Sequence, residues 1–359
     1  MKHVALLLPD LEVGGAQRII LNLAEGLAGR GYIATLLVIS GHGSLREVIP
    51  NKVNLIELCP GDEQYRHGTL ALIAVLRLWR WLRVNRPAVL LSSVTGANIV
   101  ALIVRQLLGG SVRVVIREAG NVDDVRGRIR LWLLRRLYPK ADTVVALTPV
   151  MADKLAGRIG VPTSDIQCIP NAVDLDYLLK KGAEGIEGGV LDSDAKLVVS
   201  VGRLIPQKDY PTLIKAVAVL ARSLPVRLVI IGEGEERNRL EQLIKSLGVE
   251  RQVVLLGYDS NPWRWMTKAD LYVLSSNSEG HPNSLLEALA LRVPVVATAY
   301  DQSLCEMAQR HGFETVAVGD FESLASAMQV KLESEPSGEA TVRVDGVSML
   351  DRYESILFR

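Results

Sequence analysis

The chain has 359 residues, 48% of them apolar and 23% charged, with a formal net charge of +1. That is longer than one hydrophobic core usually grows, so two domains of ~150–180 residues are expected. The three cysteines, Cys59, Cys168 and Cys305, are odd in number, far apart and set in apolar surroundings, so neither a disulfide framework nor a zinc site is indicated, and buried thiols of a reducing compartment are expected.

The small total charge hides an asymmetry. Residues 1–170 hold 21 Lys and Arg against 13 Asp and Glu, while 171–359 hold 20 against 27, so a first half of +8 is joined to a second of −7. A basic first half suits an acidic partner such as phosphates or anionic lipid headgroups, or is simply a solvated surface. No nucleic acid partner is expected. The start, MKHVALLLPD, meets a Pro-Asp turn too early for a signal peptide, and no apolar run reaches ~18 residues, so a cytoplasmic protein is expected.

In chain order, short apolar runs at 3–9, 34–40, 53–59, 88–93, 112–118 and 143–148 alternate with helical patterns. The first of these helices, AQRIILNLAEGLAGRG, ends on Gly31 as a C-cap. The stretches 70–86 and 126–138 set arginines beside tryptophans and an apolar face, a composition suited to a membrane surface or to a core-packing helix with a solvated arginine face. The second half repeats the layout with runs at 196–202, 227–232, 252–257, 270–276 and 293–299. Near-continuous apolar strands alternating with helices are the mark of parallel βαβ units covered on both faces. The expected organisation is an N-terminal domain over 1–173, a Gly-rich and acidic linker region over 174–195, and a second domain over 196–340. A helix expected in 341–359 would pack back on one of the domains, the first being the expected one.

Ligands bind such sheets beyond the carboxyl ends of the strands, so the loops there carry the candidate chemistry. After the first strand, Gly14 and Gly15 precede a helix and let backbone N–H groups approach an anion; ordinary turn chemistry explains them equally. After the first strand of the second half, VGRLIPQKD puts Arg203 and Lys208 in one loop, a fork and a point charge suited to a diphosphate. GEGEERNRLEQL reads as a strand-to-helix turn lining the same pocket. In SEGHPNSLLEAL, Ser284 and Glu287 fit a capping box, while Glu279 follows a strand with no helix to cap and is placed to accept hydrogen bonds from ligand hydroxyls. The two Asp-x-Asp matches, Asp174-Leu175-Asp176 and Asp192-Ser193-Asp194, lack the setting of a metal site.

SEGHPNSLLEALALRVPVVAT resembles the E-x(7)-E signature of retaining glycosyltransferase family 4, and it is accompanied by VGRLIPQKD, by IPNAVD at 169–174 and by VGGAQR. The resemblance spans about residues 1–310 and implies the α/β GT-B architecture, two Rossmann-like doubly wound domains facing a central cleft. It further implies a sugar-nucleotide donor, UDP-sugar favoured, held mainly by the second domain. Arg203 and Lys208 would then hold the diphosphate, Glu287 the ribose and Glu279 the donor sugar, with Gly280, Asn283, Ser284 and Leu285 nearby and Gly14-Gly15 closing over the phosphates. Retaining transfer needs no protein nucleophile, and neither a metal nor a cofactor is expected. The acceptor implied is a glycan or lipid-linked saccharide in cell-surface polysaccharide or glycolipid assembly, reached from the inner face of the cytoplasmic membrane.

The sequence departs from the family at three places. Ala119 stands where many relatives carry a histidine, with Glu118 and Asn121 as substitutes on the acceptor side. Arg292 replaces a usual glycine, and Asp301-Gln302-Ser303 replaces a glycine-containing loop ahead of Glu306. These changes keep two other readings open, a nucleotide-sugar epimerase of the same fold and a non-catalytic nucleotide-sugar-binding protein.

Overall fold

The computed structural model describes residues 2–12, 14–61, 67–125, 127–186, 194–334 and 346–359. The chain divides into two compact units, Met1–Asn171 with Gly346–Arg359, and Ala172–Asp345.

Unit 1 holds a seven-stranded sheet of His3–Leu8 (β1), Ile33–Val38 (β2), Asn54–Glu57 (β3), Val89–Ser93 (β4), Arg113–Arg117 (β5), Thr143–Ala146 (β6) and Ile166–Cys168 (β7). All pairings are parallel and the order is β3-β2-β1-β4-β5-β6-β7, which reverses between β1 and β4. Its helices are Gly15–Gly29 (α1), His67–Asn85 (α2), Thr95–Leu107 (α3), Arg128–Leu137 (α4) and Pro149–Lys154 (α5). Strands such as VLLSS are buried along their whole length because helices cover both faces. Residues of α2, α3 and α4 share one core with Ala5, Leu7, Leu90 and Val114, so these three helices line one face of the sheet.

Unit 2 begins with Leu175–Gly182 (α6) and builds a six-stranded sheet of Lys196–Val201 (β8), Val226–Ile231 (β9), Val253–Gly257 (β10), Leu271–Leu274 (β11), Val295–Thr298 (β12) and Glu314–Val316 (β13). The order β10-β9-β8-β11-β12-β13 reverses between β8 and β11, and every pairing is again parallel. Tyr210–Leu220 (α7), Arg237–Leu247 (α8), Trp263–Met266 (α9), Asn283–Ala290 (α10), Gln302–His311 (α11) and Phe321–Glu333 (α12) surround it. The last helix, Gly346–Leu357 (α13), belongs to unit 1. There Tyr32 stacks on Phe358 at 4.6 Å, Arg30 pairs with Asp351 and Glu354, and Arg113 donates to the Ile356 carbonyl at 3.0 Å.

The stretch expected as a linker from 174 begins instead as structure. Asp174 N-caps α6 by accepting from the Tyr177 N–H at 2.9 Å, which also accounts for the first Asp-x-Asp match. Leu178 is buried, and Asn261 donates to the Lys181 carbonyl at 2.9 Å, which ties α6 to unit 2. Glycines later in the stretch masked that helix in the sequence. Residues 187–193, with most of the second Asp-x-Asp match, and most of the polar tail at 335–345 lie outside the described residues.

Two departures from the family pattern have local structural meaning. Arg292 ends α10 with φ at 59°, the left-handed region where a side chain costs about 1 kcal/mol and glycine nothing. Asp301 N-caps α11, accepting from the Leu304 N–H at 3.2 Å and the Ser303 hydroxyl at 2.6 Å, so a capped helix start stands where glycines are usual.

Candidate active site

The sheet of unit 2 reverses between β8 and β11, and the loops leaving those two strands carry the strongest candidate residues. They are laced together through backbone carbonyls: the Asn277 N–H donates to the Gln207 carbonyl at 2.8 Å, the Gln207 side-chain amide donates to the Ser278 carbonyl at 2.6 Å, and the Ser275 hydroxyl donates to the Lys208 carbonyl at 2.8 Å. The result is that Lys208 Nζ meets Glu279 Oε1 at 2.5 Å, with the Ser276 hydroxyl donating to the same oxygen at 2.7 Å. Both side chains are mostly shielded, 16% and 13% exposed, so the pair feels a lower dielectric than a surface ion pair does. Gly202 makes room for it: a Cβ there would come within 2.8 Å of Lys208 Cε and 3.0 Å of the Tyr210 hydroxyl.

Burial pushes the phenols of Tyr210, Tyr272 and Tyr300 up, and the Glu279 carboxylate adds to each shift. The carboxylate therefore sits among hydroxyl groups that stay neutral at physiological pH. Arg203, in the same loop as Lys208, is exposed.

The loop after β9 packs backbone against backbone on the loop after β8. The Leu204 N–H donates to the Glu233 carbonyl at 2.8 Å, and the Glu236 N–H donates to the Leu204 carbonyl at 2.9 Å. A Cβ at Gly232, whose φ is 150°, would collide with the Gly202 carbonyl. GEGEER is thus a close-approach turn beside the Lys208 loop.

The capping box expected at Ser284 and Glu287 does not form. Helix α10 starts at Asn283 behind Pro282, which places Ser284 inside the first turn, where its hydroxyl accepts from the Tyr272 phenol at 2.7 Å. Glu287 accepts from the Trp263 indole N–H at 3.0 Å, and Trp263 is itself held edge-on by Tyr177 at 5.3 Å. Leu285 is buried, and its N–H donates to the Pro282 carbonyl at 3.1 Å. The Ser284 N–H precedes the first backbone bond of the helix and has no intrahelical acceptor. Gly280 lies in the bend between Glu279 and this helix start.

The remaining expected residues belong to unit 1. Gly14 is the extended N-cap of α1 and Gly15 its first residue, at the carboxyl end of β1 where that sheet reverses. Glu118, expected on the acceptor side, turns inward instead and is 2% exposed. It accepts from the Thr95 hydroxyl at 3.0 Å, from the Ala119 and Gly120 N–H groups at 3.1 Å each, and from the Tyr138 phenol. Four donors saturate a buried carboxylate and leave it a structural part of the domain. Asn121 caps a short turn, accepting from the Asp123 N–H at 3.0 Å and from Lys154 at 3.3 Å.

Two features had no sequence signal. Val94, a β-branched residue at the carboxyl end of β4, adopts φ 76°, which costs on the order of 1–3 kcal/mol and occurs where surrounding bonds enforce it. Here Asn98, on the next turn, donates to the Arg117 carbonyl at 3.1 Å. The other is the Trp263 contact that fixes Glu287. Among the described residues no group of three or more His, Cys, Asp or Glu side chains gathers as a metal site.

A shielded ammonium and carboxylate thus stand at the reversal point of one of two doubly wound units, where open α/β sheets bind their ligands. Residues 14–172 match the glycosyl transferase 4-like domain and residues 185–342 match glycosyl transferases group 1. The chain belongs to the family 4 glycosyltransferases. It is 28% identical, over 93% of its length and 91% of the relative's, to the N-acetylgalactosamine-N,N'-diacetylbacillosaminyl-diphospho-undecaprenol 4-alpha-N-acetylgalactosaminyltransferase of Campylobacter jejuni. It is 27% identical to the lipopolysaccharide core biosynthesis glycosyltransferase LpsE of Rhizobium meliloti, over 88% of this chain and 85% of that one. Among solved structures, Anabaena HepE in complex with UDP and glucose superposes with a TM-score of 0.80 over 99% of both chains at 19% identity.

Proposed function

We propose that the protein transfers a sugar from a UDP-sugar to a glycan carried on a lipid, with retention of anomeric configuration and without a bound metal, at the inner face of the cytoplasmic membrane. The observation that carries this reading is the Lys208 and Glu279 pair at the reversal point of the unit 2 sheet. The relatives support the substrate classes: one bears the name of a transferase acting on an undecaprenol-linked saccharide, another of a lipopolysaccharide core enzyme, and HepE was solved with UDP and glucose.

The chemistry follows from the leaving group. When the glycosidic bond to a nucleoside diphosphate breaks, negative charge grows on the phosphate oxygens, and fixed cations and N–H groups lower the barrier by meeting it. An ammonium has three donors, so Lys208 holds Glu279 with one and presents the others to phosphate. Arg203 adds a fork, and the start of α10, with the Ser284 N–H, adds the positive end of a helix. Glu279 accepts hydrogen bonds from donor-sugar hydroxyls and orients the anomeric carbon. Glu287, fixed by Trp263, accepts from the ribose hydroxyls. The acceptor hydroxyl attacks the face from which the diphosphate departs, its proton passing to the departing phosphate oxygen as the bond from the anomeric carbon to that oxygen breaks, so no side chain forms a covalent intermediate.

A thermal-shift series with UDP, GDP and ADP tests the donor site, since a ligand bound only by the folded state stabilises it by about 2.7 kcal/mol at a hundred times its Kd. UDP is expected to raise Tm most, equally with and without EDTA, and Lys208→Ala to remove most of the shift. A shift that appears only with a divalent cation, or no shift with any nucleotide, contradicts the proposal.

A further inference from the structure

The helices α2, α3 and α4, which line one face of the unit 1 sheet with α3 touching both neighbours, contain no Asp or Glu at all. A solvated helix face ordinarily mixes both signs of charge. Arg105 pairs with Asp142 at 2.7 Å, whereas Arg80, Arg83, Arg128, Arg130 and Arg136 form no ion pair among the described residues.

The same face exposes large apolar groups. Ile129 and Trp132 on α4 are 78% and 62% exposed, and Leu72 and Leu76 on α2 also stand in solvent. Leu72, Leu76, Arg80 and Arg83 recur at helical spacing and form one stripe. That stripe leads to a groove of about 540 Å³ at the amino ends of β4 and β5, lined by Trp79, Arg83, Arg86, Leu107, Leu108 and Val112 among others. The Arg83 guanidinium lies over the Trp79 ring at 4.8 Å, which holds it at the groove's rim. Arg86, in the left-handed region at φ 43°, closes the turn after α2.

Unpaired arginines beside exposed Trp, Ile and Leu are the two halves of an interfacial surface: cations for phosphate headgroups and apolar groups for the acyl boundary. We propose that the α2, α3 and α4 face docks on an anionic bilayer, and that the groove takes one acidic phospholipid, its phosphate on Arg83 and Arg86 and the start of its chains on Leu107, Leu108 and Val112. This rests on the membrane location proposed above and assigns the residues that produce it. The groove lies at the amino ends of the strands, whereas Gly14 and Gly15 lie at a carboxyl end, so headgroup binding leaves the sugar chemistry of the domain unobstructed.

Sedimentation of the full chain with vesicles of phosphatidylcholine alone, or of phosphatidylcholine mixed with phosphatidylglycerol, tests it. Binding is expected only to the mixed vesicles and is expected to weaken as salt rises. The R83Q/R86Q variant should bind at least about tenfold more weakly, as loss of two surface cations predicts, and Trp132→Ser should also weaken binding. The charge-matched control on unit 2, Lys245→Gln with Lys268→Gln, should bind as wild type does. Stabilisation by UDP serves as the folding check for every variant. Equal binding to neutral vesicles, an unchanged R83Q/R86Q, or displacement by soluble glycerol phosphate overturns the proposal, the last by pointing to a free phosphate ligand. Because the assay contains no sugar nucleotide, a wild-type chain that is stabilised by UDP but ignores vesicles sinks the docking face and leaves the transferase reading standing.

Discussion

The Glu279→Gln variant is expected to transfer sugar about a hundredfold or more slowly than wild type while binding UDP nearly as well. Glutamine keeps the size of the side chain but replaces an oxygen acceptor with a donor and removes the charge that holds Lys208. In the proposed site donor-sugar hydroxyls would lose the acceptor that orients the anomeric carbon, an effect felt most in the transition state, so kcat should fall more than KM rises. Lys208→Ala should do the reverse for nucleotide affinity, because the diphosphate is present in both substrate and product. Kinetics with a UDP-sugar, paired with UDP binding, read both effects. A Glu279→Gln enzyme with wild-type kcat would remove the carboxylate from the mechanism.

The second large effect is structural and lies in unit 1. Arg117 is wholly buried at the end of β5, where a guanidinium persists only if acceptors replace its water. It donates to the Ser93 hydroxyl at 3.0 Å and to Asn171 Oδ1 at 2.6 Å, and the buried Tyr353 phenol of α13 lies close enough to feel its charge. One side chain thus joins the ends of β4 and β5 to Asn171, the last residue of the first segment of unit 1. Arg117→Met preserves much of the volume but withdraws those donors from buried partners, and it should cost about 3 kcal/mol. Urea unfolding measures it. A loss below about 0.5 kcal/mol, the range of surface substitutions, would show that the network does not hold the strand ends to Asn171.

The sequence made the sheets legible because buried parallel strands are nearly all apolar, and runs such as KLVVSV and VLLSS have few other readings. β7 and β13 escaped because each is a three-residue edge strand, too short and too polar to break the pattern around it. Lys208 and Glu279 were legible for a topological reason: both follow strands, and the sheet reverses between those strands.

What depended on tertiary contact was not legible. Ser284 and Glu287 have capping-box spacing, yet Tyr272 and Trp263 claim them, and nothing in a linear pattern announces a partner 24 residues away. Glu118 was a candidate because it adjoins Ala119, where relatives carry a histidine; Thr95 and Tyr138, from two other elements, turn it into the core. Arg292 looked like an unexplained departure from glycine, and its left-handed backbone explains why glycine is usual at that position.

The central claim is metal-independent transfer from a nucleotide sugar through the unit 2 site. The most direct measurement is release of nucleoside diphosphate from UDP-sugars by the purified chain, with and without a bacterial lipid extract as acceptor, in EDTA throughout. The account predicts UDP release that requires the extract, persists in EDTA and is lost in Lys208→Ala, with the new glycosidic bond keeping the donor's anomeric configuration. Release that needs a divalent cation, an inverted product, or a Lys208→Ala enzyme as active as wild type would contradict it.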